Sequence, residues 1–505
     1  MDKIETIKED DIDFSLLKNL PLSFVKSNMF LPLRKENGEL LAAVADNRGV
    51  FALMDLSRDL NLKARPLHAS EKSIIDAINI IYSRTSKVDE VMGDIEGEDL
   101  SMIATEFTSP KDLLELTEEA PIIRLLNALL MEAVRERASD IHIEPYEKGV
   151  EVRLRVDGIL RKILSPPKII QDALISRIKI LANLDIAEKR LPQDGRIKLL
   201  VGGKNIDIRV AIIPTALGER AVLRLLDRKA GILSLEMIGF AGSTLSSFKD
   251  ALSRQNGIIL VTGPTGSGKT TTLYASLLML HTEERNIITV EDPVEYQLNG
   301  IGQIQVNPKI GLTFASGLRA ILRQDPDIMM VGEIRDKETA EIAIHASLTG
   351  HLVLSTLHTN DAPGALTRLI DMGIEPFLVA SSLICVLAQR LVRVICPNCR
   401  ESYTPSPQEA AALETDTVPS LLYRGKGCKK CLGKGYLGRI GIFELLEITP
   451  EIRTLIVERK DAQAIRTAAI RAGFKTLQKN VMEKITEGVT TTEEVLRVIQ
   501  KESEV

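Results

Sequence analysis

The chain of 505 residues contains no tryptophan, and only 4% of its residues are aromatic. Because proteins that track single-stranded nucleic acid stack successive bases on aromatic side chains, this composition argues against such a protein. The chain also lacks an excess of positive charge, since 64 Lys and Arg stand against 69 Asp and Glu, a formal net charge of −5. A surface built as a whole to bind nucleic acid is therefore not expected, although a local basic patch is still compatible with the balance.

Long hydrophobic runs are absent as well. The most apolar stretch, Phe377 to Ala388, has 12 residues, whereas a helix needs about 20 to cross a bilayer. The first ten residues are polar and acidic and lack the apolar core of a secretory signal peptide. We therefore expect a cytoplasmic protein that reaches any membrane through a partner or through a surface patch.

The pattern of polar and apolar residues divides the chain into four parts. Residues 1–85 predict a small mixed domain, and residues 86–118 predict a flexible acidic linker. A helix followed by alternating strands is predicted within 119–230. Apolar strands alternate with helical stretches in 231–505, which predicts an α/β domain, and a cysteine-bearing segment at 396–431 interrupts it.

The strongest motif is a phosphate-binding loop (P-loop, or Walker A motif) that follows an apolar strand and precedes a helical stretch. The glycines allow successive backbone N–H groups to face one anion, and the helix N-terminus adds positive potential. Lys269 is expected to reach the β- and γ-phosphates of ATP, and Thr270 to hold Mg²⁺. The predicted nucleotide-binding residues are Gly263, Pro264, Thr265, Gly266, Ser267, Gly268, Lys269 and Thr270.

Acidic residues end two further apolar strands. Glu333 follows the buried stretch 328–331, where a carboxylate beside the phosphate loop can polarise the attacking water, so we predict that it is catalytic. The alternative is a structural carboxylate at a strand end. Glu291, Asp292 and Glu295 follow the other strand and are candidates for the metal shell or for water activation, unless Asp292-Pro293 simply ends that strand.

His358 follows a third apolar strand and is a candidate sensor of the γ-phosphate, although a lone histidine is usually structural. It lies beside the polar residues Thr359, Asn360 and Asp361. The functional interpretation is favoured only because the phosphate loop and the two acidic strand ends occur in the same chain.

Four cysteines form two pairs with the spacing of a zinc knuckle. Cys396 and Cys399 make one C-x₂-C pair, and Cys428 and Cys431 make the other. We predict a structural Zn²⁺ site, the alternative being disulfides, which a cytosolic chain should keep reduced. The fifth cysteine, Cys385, is predicted to lie in an apolar helix and to belong to the core.

These motifs taken together resemble the secretion ATPase family, which powers type II secretion and type IV pilus assembly and retraction. The resemblance rests on four segments of the α/β part and on four of the preceding part, and it covers about residues 120–505. The first four are 263–270, 290–295, 322–336 and 349–361, and the others are 139–145, 153–158, 191–196 and 208–224.

The resemblance implies a homo-hexameric ring of ATPases. Each chain would carry a RecA-like P-loop ATPase domain, a PAS-like α+β second domain, a small N-terminal α/β domain and a zinc-knuckle insertion. Arg209 and Arg224, on the matching strands of the second domain, would reach the γ-phosphate, although alternating arginines on a strand also suit a solvated face. ATP, Mg²⁺ and Zn²⁺ are the implied cofactors.

Among the members of this family, the sequence favours a type II secretion ATPase over a pilus-extension ATPase. Pilus-extension members often have an Arg-Leu-Gly motif that binds cyclic di-GMP, and this chain has none. The resemblance then implies docking of the N-terminal domain to a single-pass inner-membrane protein, contact with a polytopic platform protein, and a location on the cytoplasmic face of the inner membrane. Lysines around the second cysteine pair suggest contact with acidic phospholipid, with a solvated loop as the alternative. A nucleic-acid motor and a non-hydrolysing adaptor are the rival classes.

Overall fold

The chain divides into two compact units, residues 1–230 and 231–505. A computed structural model describes residues 2–3, 7, 12–13, 16, 20, 22–36, 38–74, 77, 121–201, 204–227, 233–407, 409 and 420–499. The predicted linker, 86–118, lies outside these residues. No helix in the described part of the chain is long and apolar enough to cross a membrane.

The described residues of the N-terminal part of the first unit form a four-stranded sheet with the strand order β1-β4-β3-β2, and the helices α1 and α2 accompany it. β3 is almost entirely buried, which fits its apolar sequence. Asp46 caps the helix that follows, because its side chain accepts hydrogen bonds from the N–H groups of Arg48 and Gly49. The elements are β1 (Asp2–Lys3), α1 (Leu22–Ser27), β2 (Phe30–Glu36), β3 (Glu39–Val44), α2 (Asn47–Asp59) and β4 (Lys63–His68).

The rest of the first unit is a six-stranded antiparallel sheet with the order β7-β6-β5-β10-β9-β8. β6 alternates strictly between buried and half-buried residues, as a strand with one face on a core should. The apolar face packs against two helices. The elements are α3 (Pro121–Arg135), β5 (Asp140–Pro145), β6 (Val150–Val156), β7 (Ile159–Leu164), α4 (Gln171–Leu181), β8 (Gln193–Val201), β9 (Lys204–Thr215) and β10 (Gly218–Asp227).

The second unit is built on a seven-stranded sheet with the order β13-β12-β14-β15-β11-β16-β19. Neighbouring strands of this sheet pair parallel, except that β19 (Tyr436–Glu447) runs antiparallel to β16 (Leu383–Ile395). The strands and the first helices are α5 (Gly242–Leu252), β11 (Gly257–Thr262), α6 (Lys269–Leu280), β12 (Ile287–Glu291), β13 (Gly302–Gln305), α7 (Phe314–Ile321), β14 (Ile328–Val331), α8 (Lys337–Leu348) and β15 (Leu352–Leu357).

The remaining elements complete the sheet, a small cysteine-bearing ribbon and a helical C-terminal part. They are α9 (Ala362–Asp371), α10 (Pro376–Ser382), β16 (Leu383–Ile395), β17 (Arg400–Tyr403), β18 (Leu422–Gly425), β19 (Tyr436–Glu447), α11 (Pro450–Val457), α12 (Ala462–Arg471), α13 (Leu477–Thr486) and α14 (Thr492–Ile499). The predicted α/β class is confirmed.

The central strand β11 is buried on both of its faces. Ile258 and Leu260 belong to one hydrophobic core, and Ile259 and Val261 belong to the other. A continuous apolar run is therefore required, because each face of a parallel sheet is covered by helices. The carboxyl ends of β11, β12, β14 and β15 lie at one edge of this sheet, which is where ligands bind in open α/β folds.

The prediction that Cys385 lies in a helix is wrong. The helix α10 ends at Ser382, and Cys385 lies on β16, where it pairs with Ile259 of β11. A short apolar run has the same composition in a buried strand and in a buried helix, so periodicity does not separate the two. The expectation that Cys385 belongs to the core is confirmed, since the residue is fully buried.

Candidate active site

The phosphate loop runs from the end of β11 to the first turn of α6. Gly263 and Gly268 both have positive φ, 145° and 90°. A Cβ atom at Gly263 would lie 2.4 Å from the carbonyl oxygen of Gln389, and one at Gly268 would lie 2.8 Å from the Nε2 of the same residue. Glycine is therefore required at both positions by conformation and by space. Pro264, Thr265 and Gly266 are exposed, whereas Ser267 is buried.

Lys269 begins α6 and lies with its ammonium group against the loop. Its Nζ donates hydrogen bonds to the carbonyl oxygens of Gly263, at 2.7 Å, and Pro264, at 3.1 Å. Burial lowers the pKa of Lys269 to about 8. The charge of Glu333 acts to raise this pKa, whereas the charge of Arg390 lowers it further. The next residue, Thr270, is exposed and can offer its hydroxyl to a cation.

Glu333 and His358 come together at the sheet edge although 25 residues separate them. The His358 Nε2 lies 3.2 Å from a carboxylate oxygen of Glu333, and Arg335 forms an ion pair with the other oxygen. This pair raises the pKa of Arg335. The Glu333 side chain is 16% exposed and that of His358 is 50% exposed. The cluster can therefore hold a carboxylate in a fixed orientation while solvent still reaches it.

Asp292 and Glu295 follow β12 on the same side of the domain. Asp292 is exposed, and its charge contributes to the raised pKa of Arg335. Glu295 is half-buried, and its backbone N–H donates to the hydroxyl of Tyr274 at 3.3 Å. Of these two carboxylates, Asp292 is the one that the structure relates electrostatically to the Glu333 cluster.

Glu291 occupies a buried polar network. Thr289 and Gln303 donate to one carboxylate oxygen, at 2.6 and 3.0 Å, and the hydroxyl of Tyr274 donates to the other. Glu291 is only 3% exposed. Because its oxygens already accept from three donors, we propose that Glu291 joins β12, β13 and α6 and does not itself activate water.

We expect Tyr274→Phe to lower the free energy of unfolding by about 1–3 kcal/mol, because it leaves one oxygen of buried Glu291 without its donor. Chemical denaturation of the purified chain measures this change. Tyr296→Phe is the matched control, since Tyr296 packs edge-on against the Tyr274 ring with centroids 4.7 Å apart. An equal loss in both variants would contradict the assignment of the Tyr274 hydroxyl to Glu291.

The loop that carries His358 is tied to the phosphate-loop strand. The hydroxyls of Thr262 and Thr359 lie 2.6 Å apart, and the Thr359 N–H donates to Thr262 Oγ1 at 2.9 Å. Asp361 caps α9 by accepting from Gly364, and it also forms an ion pair with Arg466 at 2.7 Å. No sequence motif marks Arg335, Thr262 or Arg466, and the contacts of Thr262 and Arg466 join segments that are 97 and 105 residues apart. Only Arg335 carried a local signal, its place two residues after Glu333.

Arg209 and Arg224 are direct neighbours on β9 and β10 of the first unit. Arg224 donates to Asp140 at 2.9 Å and is 57% exposed, and Arg209 is half-buried. Burial alone would raise the pKa of Asp140, but the hydrogen bonds from Arg224 and Ser139 outweigh it and lower this pKa. Arg196 of β8 pairs with Arg209 from the opposite edge of β9. Arg196, Arg209 and Arg224 thus lie side by side on this face of the sheet, and Asp140 pairs with the last of them.

The four predicted zinc ligands form one cluster, with all four sulfur atoms within 4.8 Å of one another. Cys396 and Cys428 have sulfur atoms 3.8 Å apart, as do Cys399 and Cys431, and the separation between Cys428 and Cys431 is 3.7 Å. Sulfur atoms about 2.3 Å from a tetrahedral Zn²⁺ lie about 3.8 Å from each other, so the cluster fits the ion. The separations exceed a disulfide bond of about 2.05 Å, and all five cysteines are free.

Backbone donors support the zinc-ligand role of Cys431. Its sulfur accepts from the N–H groups of Cys428, at 3.1 Å, and Gly435, at 3.3 Å. Burial alone would raise the pKa of this thiol, but these donors, together with the thiols of Cys428 and Cys399, more than offset it and lower the pKa to about 6. Such hydrogen bonds favour the thiolate that a metal ion binds.

Comparisons with known proteins agree with this geometry. Residues 115–497 match the family described as type II/IV secretion system protein, and residues 4–87 match the MshEN domain. The type II secretion system protein E of Pseudomonas aeruginosa is 51% identical over 96% of this chain and 97% of its own length. The type IV pilus assembly ATPase PilB of Myxococcus xanthus is 43% identical over 97% of this chain and 88% of its own. The crystal structure of the pilus retraction motor PilT with bound ADP superposes with a TM-score of 0.52 at 27% identity, covering 75% of this chain and 98% of PilT.

Proposed function

This chain belongs to the type II/IV secretion system protein family, and we propose that it is the ATPase that drives a type II secretion system. The observation that carries the proposal is the convergence of the phosphate loop, Glu333 and His358 at one sheet edge in a chain that matches a type II secretion protein over almost its whole length. Phosphoryl transfer requires positioning and electrostatic stabilisation at such an edge.

The proposed reaction is the hydrolysis of ATP to ADP and phosphate. A water oxygen attacks the γ-phosphorus, the bond to the β–γ bridging oxygen breaks, and Glu333 orients this water and accepts its proton. Lys269 would hold the β- and γ-phosphates through its ammonium group, and His358, hydrogen-bonded to Glu333, would contact the γ-phosphate. Mg²⁺, when bound, neutralises charge on the phosphates, and Thr270 is the residue that would hold it.

Arg209 and Arg224 are proposed to stabilise the charge of the transferred phosphoryl group, as a guanidinium can bind two of its oxygens. We expect Arg224→Gln to lower kcat about tenfold, because Arg209 still supplies part of the charge that an arginine finger provides. Arg220→Gln is the matched control. Arg220 lies on the same face of β10 and forms an ion pair with Glu144 at 2.6 Å. Equal turnover in the two variants, measured by phosphate release, would contradict the finger role of Arg224.

The partners of the chain are proposed from the family. We infer a homo-hexamer that platform proteins hold on the cytoplasmic face of the inner membrane. The lysines around the second cysteine pair, of which Lys426 forms an ion pair with Glu401 at 2.6 Å, would contact acidic phospholipid. Light scattering of the purified chain with a non-hydrolysable ATP analogue measures the number of subunits, and six are expected.

Pilus extension is the second candidate, because PilB of Myxococcus xanthus is also similar over nearly the whole chain. The full-length chain, used as bait in detergent-solubilised membranes of the source cell, separates the two functions. Recovery of a single-pass protein of a type II secretion platform supports the first function. Recovery of pilus-platform proteins in its place would assign the chain to pilus extension and leave the ATPase chemistry unchanged.

A further inference from the structure

Strand β16 passes directly beside the phosphate loop. It runs parallel to β11 up to the pair Thr262–Ala388, after which β11 ends and the loop begins. β16 continues for seven more residues and remains paired with β19, first through Gln389 and Arg390. These two residues therefore stand beside the point where the phosphate loop leaves the sheet, and their side chains point to opposite faces.

Gln389 joins the phosphate loop to the helix that follows it. Its Nε2 donates to the carbonyl oxygen of Ser267 at 2.8 Å, and its Oε1 accepts from the hydroxyl of Thr272 at 2.7 Å. Gln389 is 2% exposed, and Thr272 is fully buried. Water cannot easily replace either partner in such surroundings, so loss of the amide leaves buried polar atoms unsatisfied. The amide also lies against Gly268, where even a Cβ atom would come within 2.8 Å of Nε2.

Arg390 joins β16 to the loop that carries His358. Its Nη2 donates to the backbone oxygen of Asn360 at 3.3 Å and to the side-chain oxygen of the same residue at 3.2 Å. Arg390 is 8% exposed, and its charge contributes to the lowered pKa of Lys269. The guanidinium therefore fixes the segment next to His358.

We propose that Gln389 and Arg390 are positioning residues for ATP hydrolysis, Gln389 for the phosphate loop and Arg390 for the 358–361 loop. The proposal rests on the proposed ATPase function and extends it to a strand that contributes no group to the chemistry. Since phosphate is bound by backbone N–H groups of the loop, a shift of this loop weakens nucleotide binding. A shift of the 358–361 loop instead moves His358 away from Glu333 and slows turnover, because misplacement by about 1 Å can cost up to 10²-fold in rate.

The two residues are therefore expected to affect different kinetic parameters. Gln389→Leu should weaken ADP binding and raise the KM for ATP by about tenfold or more. Arg390→Met should lower kcat by about tenfold while the Kd for ADP stays within about threefold of the wild-type value. If the two residues had a purely structural role, both substitutions would lower the fraction of folded, active protein. A smaller active fraction lowers the apparent kcat but leaves KM and Kd unchanged. The KM increase in Gln389→Leu and the contrast between the variants are not produced by partial unfolding.

The experiment measures ADP affinity by titration calorimetry and ATP turnover by phosphate release on the full chain, with kcat normalised to the ADP sites titrated. Gln389→Glu is the second variant, because it retains the acceptor for Thr272 but removes the donor to Ser267, and it should be as defective as Gln389→Leu. Thr272→Val, which keeps the bond to Ser267, is expected to bind ADP within about threefold of the wild-type chain. Arg390→Lys, which keeps the charge but replaces the guanidinium by a shorter-reaching ammonium group, should recover part of the kcat.

The proposal for Gln389 would be overturned if Gln389→Leu and Gln389→Glu had the wild-type ADP affinity and the wild-type KM for ATP. The proposal for Arg390 would be overturned if Arg390→Met had the wild-type kcat or bound ADP more weakly. Failure of the proposed function is distinguishable, because the wild-type chain would then release no more phosphate than Lys269→Ala. The ADP titrations would still report on Gln389 in that case.

Discussion

Replacing Glu333 by glutamine will reduce the kcat for ATP hydrolysis by at least about 100-fold, the lower end of what a positioned general base contributes. The substitution preserves the size of the side chain but removes the negative charge that attracts the proton of the attacking water. ATP binding should persist, because the phosphate loop and Lys269 do not depend on that charge for their backbone geometry. Phosphate release and ATP titration on the purified variant measure the two effects separately.

The control for this prediction is Glu338→Gln. Glu338 lies in the next helix, is 58% exposed and forms an ion pair with Arg319. An exposed pair of this kind contributes little to stability, so the variant should hydrolyse ATP within about twofold of the wild-type chain. If Glu333→Gln also turned over at the wild-type rate, Glu333 would not be the catalytic carboxylate, and Asp292 would be the next candidate.

Loss of one zinc ligand is expected to have the largest effect on stability. A structural Zn²⁺ contributes about 10–16 kcal/mol of apparent binding free energy in small zinc domains, and the cluster of four cysteines fits such an ion. We expect Cys431→Ser to bind less than about half a zinc per chain and to lose the local fold around the cysteine ribbon first. Metal analysis and hydrogen exchange of the segment 420–436 measure these changes.

Cys385→Ala is the matched control for the zinc prediction. Cys385 is buried in β16 and is not part of the cluster, so its removal should leave the zinc content unchanged and destabilise the fold only modestly. Because β16 carries Gln389 near its middle and leads into Cys396 after its last residue, loss of zinc should also weaken ADP binding. Normal zinc content in Cys431→Ser would contradict the assignment of the ligands.

The sequence predicts those parts of the site whose residues all lie in one short segment with a recognisable motif. The phosphate loop needs only its glycines, Lys269 and Thr270 between a strand and a helix, and the four cysteines need only their spacing. Glu333 and His358 are also marked locally, each following an apolar run. Their meeting could be expected because the carboxyl ends of parallel strands share one edge of the sheet.

The remaining features depend on contacts between distant segments, which periodicity does not reveal. The hydrogen bond from Gln389 to Ser267 spans 122 residues, and the ion pair of Arg466 with Asp361 spans 105. The burial of Glu291 depends on Tyr274 and Gln303, so its sequence position at a strand end suggested a catalytic role that its contacts do not favour. Cys385 shows the corresponding limit for secondary structure, because a buried strand and a buried helix are equally apolar.

Phosphate release by the purified full-length chain, compared with Lys269→Ala, tests the proposed ATPase function most directly. It is measured with and without duplex DNA, single-stranded DNA and vesicles of acidic phospholipid. We expect turnover by the wild-type chain that is well above that of Lys269→Ala and that neither form of DNA stimulates. Turnover equal to that of Lys269→Ala would indicate an adaptor that binds ATP without hydrolysing it. Stimulation by DNA but not by the vesicles would indicate a nucleic-acid motor, and either result would contradict a secretion ATPase.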